Sequence, residues 1–214
     1  MNLLLVVEAG RGRRWMIRLA ERLRGLGATV RLETTAAQQP PVPGLDLLLR
    51  LERMTMRRQR AIGAEAVDTA SIAPPADAGF APTLVVDLTA RPQERAGTRV
   101  LAVTWDGHGG EETAIGRLAS GAAPLAEVID LGTGEVLERG LASLENASGL
   151  GGAIDSVTAR LVTLLTARVS AIVDGRDRPP PPDIRTPPQR PTRDVVRLAA
   201  GSLAGSLARI LYRL

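Results

Sequence analysis

The sequence predicts a soluble α/β protein with a Rossmann-like, mostly parallel sheet that is flanked by helices and includes a β-hairpin. Apolar runs of strand length recur at residues 2–7, 82–88 and 99–105, as expected for strands buried on both faces. An amphipathic segment follows the first run. Two further strand-like runs flank the turn sequence Gly132-Thr133-Gly134, which is typical of a hairpin. A chain of 214 residues is long enough for one sizeable core.

The first third of the chain predicts a β-α-β unit. Residues 2–7 form the first strand, and residues 13–26 form a helix with apolar side chains on one face. Residues 29–32 form the second strand, which a right-handed crossover places parallel to the first. Residues 45–57, rich in Leu, Met and Arg, predict another helix, whereas residues 59–81 are weakly patterned.

The remaining elements of the domain follow from similar patterns. Residues 82–88 and 99–105 are predicted central strands, and residues 111–120 a short helix that ends at Gly121. Residues 125–131 and 135–141 are the strands of the hairpin. The glycine-rich residues 149–152 precede the strongest helix pattern, residues 153–173, which we expect to pack across the sheet.

The composition changes abruptly after residue 173. Residues 174–193 are rich in Pro and Arg and predict an extended, solvated linker, so the α/β domain is expected to comprise residues 1–173. Residues 194–214 predict a separate amphipathic helix whose arginines restrict any membrane span. Three interpretations stay open: the helix docks on the domain, binds a partner protein or a following domain, or lies on a membrane surface without spanning it.

Composition excludes several kinds of site. The chain has no cysteine and one histidine, which excludes disulfides, thiolate metal sites and a histidine metal cluster, and the cytoplasm is the expected compartment. All 27 basic residues are arginine, which indicates a GC-rich bacterial genome. A net charge of +4 with interspersed acidic residues does not favour nucleic acid as a partner. The sequence identifies no cofactor.

Several motifs follow one another in an order that resembles a known family. They are FAPTLVVDL at residues 80–88, RVLAVTW at residues 99–105 and EETAIGRLASGAAPLAEVIDLGTGEVLERG at residues 111–140. In order and spacing they resemble the N-terminal domain of the folate-dependent formyltransferases, such as methionyl-tRNA formyltransferase. The resemblance covers about residues 1–173 and implies a formyltransferase-type α/β fold.

The resemblance also implies where catalytic residues would stand. In the family, an Asn and a His two residues apart at the end of the central strand act with an Asp of the hairpin motif. The motifs place Val103, Trp105 and Gly132 at these three positions. None of the three side chains can donate or accept a proton as an acid or a base, so formyl transfer by the family's mechanism is not expected.

Two clusters remain as candidate sites. Gly10, Gly12 and Arg13 lie where the first strand leads into a helix, and backbone N–H groups with a nearby guanidinium can bind phosphate. A phosphorylated sugar or a nucleotide sugar is the expected ligand class there; the alternative is a flexible turn with solvated arginines. Asp87, Asp106 and His108 lie at strand ends and could supply a base and an acid in a rebuilt site. The alternative for these residues is a strand-end cap and a glycine-rich connection with an exposed His.

Two hypotheses about function follow. The first is a divergent formyltransferase-fold domain that acts as a non-catalytic ligand-binding or accessory module of a larger sugar- or cell-envelope-modifying transferase. The second is an active formyl- or glycosyltransferase that uses Asp87, Asp106 and His108. The sequence leaves open whether the chain is an enzyme.

Overall fold

Six strands form one sheet in the order β2-β1-β3-β4-β5-β6. The structure is a computed structural model that describes residues 1–38, 42–55, 63–145, 147, 149–176 and 181. The elements in chain order are β1 (Asn2–Glu8), α1 (Arg14–Gly25), β2 (Thr29–Thr35), α2 (Leu45–Thr55), a 3-10 turn (Thr69–Ser71), β3 (Leu84–Asp87), β4 (Arg99–Trp105), α3 (Glu111–Ala119), β5 (Leu125–Asp130), β6 (Val136–Leu141) and α4 (Gly149–Val173).

The strand pairing confirms the predicted fold class. β2, β1, β3 and β4 are parallel, and β5 pairs antiparallel with both β4 and β6. The crossover through α1 places β2 beside β1, and β5 and β6 form the predicted hairpin around residues 131–135. The chain is therefore an α/β protein with a mostly parallel sheet, flanking helices and a β-hairpin.

The main core lies between one face of the sheet and the helices. Alternate residues of β1, among them Leu3, Leu5 and Val7, pack with side chains of α1, α3 and α4. The intervening residues Leu4 and Val6 face the opposite side and join a smaller cluster that Phe80 helps to cover. Burial on both faces explains why the sequence of β1 is a nearly continuous run of apolar residues.

The weakly patterned segment before β3 runs beside β2. Leu32 N–H donates to the Pro74 carbonyl, and Ala76 N–H donates to the Leu32 carbonyl, each at 2.8 Å. These hydrogen bonds cover part of the outer edge of β2, which would otherwise present unpaired backbone groups.

Helix α4 begins earlier than predicted. It starts at Gly149 rather than at residue 153, because the buried Glu52 carboxylate accepts hydrogen bonds from Leu150 N–H at 2.9 Å and Gly151 N–H at 2.8 Å. These bonds satisfy backbone donors that have no partner within the helix. A side chain 98 residues earlier in the sequence thus extends the helix through its glycines.

Helix α4 is also the one helix in the described part of the chain that is long and apolar enough to cross a membrane by length and composition. Half of its most apolar stretch is buried within the fold. Val157, Leu161, Leu165 and Val169 belong to the main core, as predicted for a helix that packs across the sheet. The linker predicted after α4, apart from residues 174–176 and 181, and the helix predicted at 194–214 lie outside the described residues.

Candidate functional site

A cavity of about 70 Å³ lies beside the carboxyl ends of β1 and β4. This is the sheet edge at which open α/β sheets bind ligands. Helices α1, α3 and α4 and the neighbouring loops contribute most of the rest of its wall. Its apolar surface includes the side chains Trp15, Val103, Trp105, Ile115, Val157 and Leu161. The cavity is therefore mainly apolar where the helices pack over the end of β4.

Arg13 belongs to the charged part of the cavity wall, called the rim below, and is 5 % exposed. Its Nε donates to Glu111 Oε2 at 3.0 Å, and its Nη2 also donates to Glu111. Its Nη1 donates to Asp46 Oδ1 at 2.9 Å and to the Ala64 carbonyl at 3.3 Å. Burial alone would lower the pKa of Arg13, but the hydrogen bonds and charges of Glu111 and Asp46 outweigh it and raise the pKa. Arg13 is thus a permanently charged group fixed in one position.

Arg11 is also part of this rim and contacts carboxylates at the end of β1 and at the start of α3. Its Nη1 lies 2.7 Å from Glu112 Oε1 and 3.2 Å from Glu111 Oε1, and its Nε lies 3.9 Å from Glu8 Oε2. Glu8, the last residue of β1, accepts further hydrogen bonds from Ala90 N–H at 2.8 Å and Gln38 N–H at 3.1 Å. These contacts join β1, the loop after β3 and the start of α3.

The predicted phosphate-binding residues are placed as follows. Gly10 is exposed with φ of 71°, a left-handed turn conformation that favours glycine. A Cβ atom at Gly12 would lie 2.5 Å from the Val67 carbonyl oxygen, so this glycine permits a close backbone approach. The Arg13 guanidinium turns into the fold towards its carboxylate partners. Anion binding at these residues stays a prediction.

Asp106 lies just after β4 and is held from two sides. Its Oδ1 accepts a hydrogen bond from Leu125 N–H at 3.2 Å, and its Oδ2 lies 2.9 Å from Nε of Arg117. Its φ of 50° is in the left-handed region. The carboxylate therefore joins the end of β4 to α3 and β5.

His108 is exposed and belongs to a tight turn with the last residue of β4. Trp105 N–H donates to the His108 carbonyl at 2.7 Å, and His108 N–H donates to the Trp105 carbonyl at 3.0 Å. Asp87 is buried at the end of β3, where its carboxylate accepts hydrogen bonds from Thr89 N–H at 2.9 Å and Gln93 N–H at 3.1 Å. None of Asp87, Asp106 and His108, which all lie in the described part of the chain, lines the cavity.

The three positions that the resemblance assigns to catalysis are separated in the structure. Val103 and Trp105 both line the cavity. Gly132 lies two residues after Asp130, which pairs with Leu101 near the start of β4, so Gly132 lies towards the opposite end of that strand. The structure thus brings together two of the three positions, and both carry apolar side chains.

Sequence reasoning missed the charged rim of the cavity. Glu111 and Glu112 were predicted only as the start of a helix, and Glu8 was assigned no role. The sequence did contain one relevant feature: two acidic residues at the start of a predicted helix and an arginine-rich turn elsewhere in the chain, which carry opposite charges. The contacts among them join residues about 100 positions apart, which spacing alone does not reveal.

Comparisons with known proteins find similarity only among solved structures. No protein-family model matches the chain, and no curated protein matches it. It is similar to a sugar N-formyltransferase from a Shewanella species, with 11 % identity over 82 % of this chain and 70 % of that one, and a TM-score of 0.44. It is similar to glycinamide ribonucleotide transformylase 1 from Symbiobacterium toebii, with 13 % identity over 82 % and 89 % of the chains, and a TM-score of 0.46.

A third solved structure is a 4-N formyltransferase from Francisella tularensis, with 10 % identity over 85 % of this chain and 73 % of that one, and a TM-score of 0.46. All three TM-scores are below 0.5. The fold class given above therefore rests on the strand order and pairing of the chain itself.

Proposed function

We propose that this chain is a divergent formyltransferase-fold domain that acts as a non-catalytic ligand-binding or accessory module of a larger sugar- or cell-envelope-modifying transferase. One observation carries the proposal: the side chains that β4 presents to the cavity are Val103 and Trp105. Acyl or glycosyl transfer to an amine or a hydroxyl requires a group that accepts the proton of the nucleophile. Neither of these side chains can do so.

The polar groups near the same edge support the proposal because they have structural partners. Asp87 accepts two backbone hydrogen bonds from the loop that follows β3. Asp106 is paired with Arg117 and with a backbone N–H of β5. Glu8 and Glu111 are both paired with arginine side chains at the rim. Each of these carboxylates thus already has a structural role.

The accessory role is supported by the sequence after α4. Residues 174–193 have the composition of a solvated linker, and residues 194–214 have the apolar spacing of an amphipathic helix. A linker followed by such a segment is suited to connect the domain to another protein or domain. The phosphorylated sugar or nucleotide sugar expected from the sequence remains a proposed ligand of the module.

A transfer assay tests the non-catalytic assignment. The full chain is incubated with a formylated folate and amino sugar nucleotides, and separately with nucleotide sugars and acceptor glycans, and the products are identified by mass spectrometry. We expect no turnover by the wild type. Turnover that His108→Ala abolishes without changing the melting temperature would overturn the proposal and establish the rebuilt catalytic site instead.

A further inference from the structure

Both tryptophans of this aromatic-poor chain line the same cavity. The sequence contains two Trp, one Tyr and one Phe. Trp15 from α1 and Trp105 from β4 both contribute to the cavity wall, and both are buried. Indole rings carry a negative electrostatic potential on their faces and attract cations more strongly than phenyl rings do. The wall therefore combines apolar surface with the aromatic groups best suited to a cation.

The rim of the cavity carries more carboxylates than guanidiniums among the described residues. Arg11 and Arg13 face Glu8, Glu111 and Glu112, which also line the cavity. Arg13 is shared with a fourth carboxylate, that of Asp46. Among the lining residues, two positive charges against three negative ones leave an excess of one negative charge, which favours a positively charged ligand.

The size of the cavity limits the group that it can hold. A volume of about 70 Å³ leaves room for about five groups of the size of a water molecule or a methyl group. A small ammonium head that carries methyl or methylene substituents has this size. Its apolar substituents would contact the aliphatic side chains of α3 and α4.

We propose that this cavity binds an organic cation of the alkylammonium class, with a quaternary ammonium head as the best fit. The tryptophans and apolar side chains would contact its alkyl substituents, and the carboxylates of the rim would balance its charge. The inference rests on the proposed non-catalytic function, because a quaternary ammonium group has no lone pair with which to accept a formyl or glycosyl group.

Titration of the full chain with tetramethylammonium chloride at constant ionic strength tests this inference. Because both tryptophans line the cavity, intrinsic fluorescence reports directly on binding. Two comparison probes are used: tert-butanol, which is uncharged and of similar size, and sodium phosphate. We expect a saturable fluorescence change with tetramethylammonium at least about tenfold tighter than with tert-butanol, and no displacement of tetramethylammonium by phosphate.

Two variants connect binding to the residues involved, with calorimetry as the readout. Trp105→Leu keeps an apolar wall but removes the indole, and we expect the affinity to fall by about fivefold or more. Glu112→Gln removes one rim charge from a side chain that is 28 % exposed, so the fold should be retained while affinity falls by severalfold. Phe80→Leu, on the opposite face of the sheet, should leave affinity unchanged.

Equal affinity for tert-butanol, displacement of tetramethylammonium by phosphate, or no saturation with tetramethylammonium would each overturn the inference. So would unchanged affinity in a folded Glu112→Gln variant. These outcomes do not bear on the transfer assay. A chain that shows no turnover and binds no cation refutes the cation site alone, whereas a chain that transfers a formyl group refutes the proposed function.

Discussion

Arg117 Nε lies 2.9 Å from Asp106 Oδ2, and the two side chains are only 7 % and 10 % exposed. The two groups form a buried ion pair. Oδ1 of the same carboxylate accepts the Leu125 N–H. The pair therefore connects α3 to the turn after β4, next to the cavity wall formed by Trp105.

Removing one partner of this pair is expected to destabilise the protein. Asp106→Ala would leave the buried Arg117 without this carboxylate and should lower the free energy of unfolding by about 3 kcal/mol. Urea denaturation followed by circular dichroism measures the effect. His108→Ala, two residues away and exposed, is the control and should change it by less than about 0.5 kcal/mol. Equal effects of the two substitutions would contradict the structural role of Asp106.

Glu52 is expected to be required for the first turn of α4. Glu52→Ala removes the acceptor of the Leu150 and Gly151 N–H groups and should lower the free energy of unfolding by about 1–3 kcal/mol. The rate of amide hydrogen exchange, measured by NMR, should increase most at these two amides. Glu145→Ala, at an exposed position before α4, provides the control. Unchanged protection at residues 150 and 151 would show that Glu52 does not cap the helix.

The start of α4 illustrates how much of the fold the sequence can predict. The strands β1, β3 and β4 were predicted because each is a short, uninterrupted apolar run, and the hairpin because glycines separate two such runs. These signals are local. Glycines at 149, 151 and 152 disfavour a helix locally, and the contact that stabilises it there comes from α2.

The candidate site was predictable in part for the same reason. Val103 and Trp105 were identified from a strand motif, and the structure places both in the cavity wall. The rim was not predicted, because the pairing of Arg13 with Glu111 and Asp46 depends on how three separate elements pack. Sequence spacing carries no information about such contacts.

Asp155 is expected to make stability depend on pH. Partial burial raises the pKa of its carboxyl above the ordinary 3.8, although the Gly63 N–H and Arg18 act in the opposite direction. Between 3.8 and the raised value, the folded state binds more protons than the unfolded state, so this residue's contribution to stability falls as pH rises through that window. The contribution is fully present only below 3.8.

Asp155→Asn tests this sign, because the amide oxygen can still accept the Gly63 hydrogen bond but does not titrate. The free energy of unfolding of the variant minus that of the wild type should increase as pH rises from below 3.8 through the raised pKa. Urea denaturation at several pH values gives this difference. A difference that decreases over the same range would mean that the pKa is lowered in the folded state.

Arg168, in the second half of α4, is expected to reduce stability. Its side chain is buried at 6 % exposure, and its Nε and Nη1 have no hydrogen-bond partner in the part of the chain that the structure describes. A buried donor without a partner costs about 1–3 kcal/mol, so Arg168→Met should raise the free energy of unfolding by a similar amount. The matched control is Arg22→Met on the exposed face of α1, which should change it by less than about 0.5 kcal/mol. A loss of stability in Arg168→Met would instead show that the guanidinium makes a favourable contact in the folded chain.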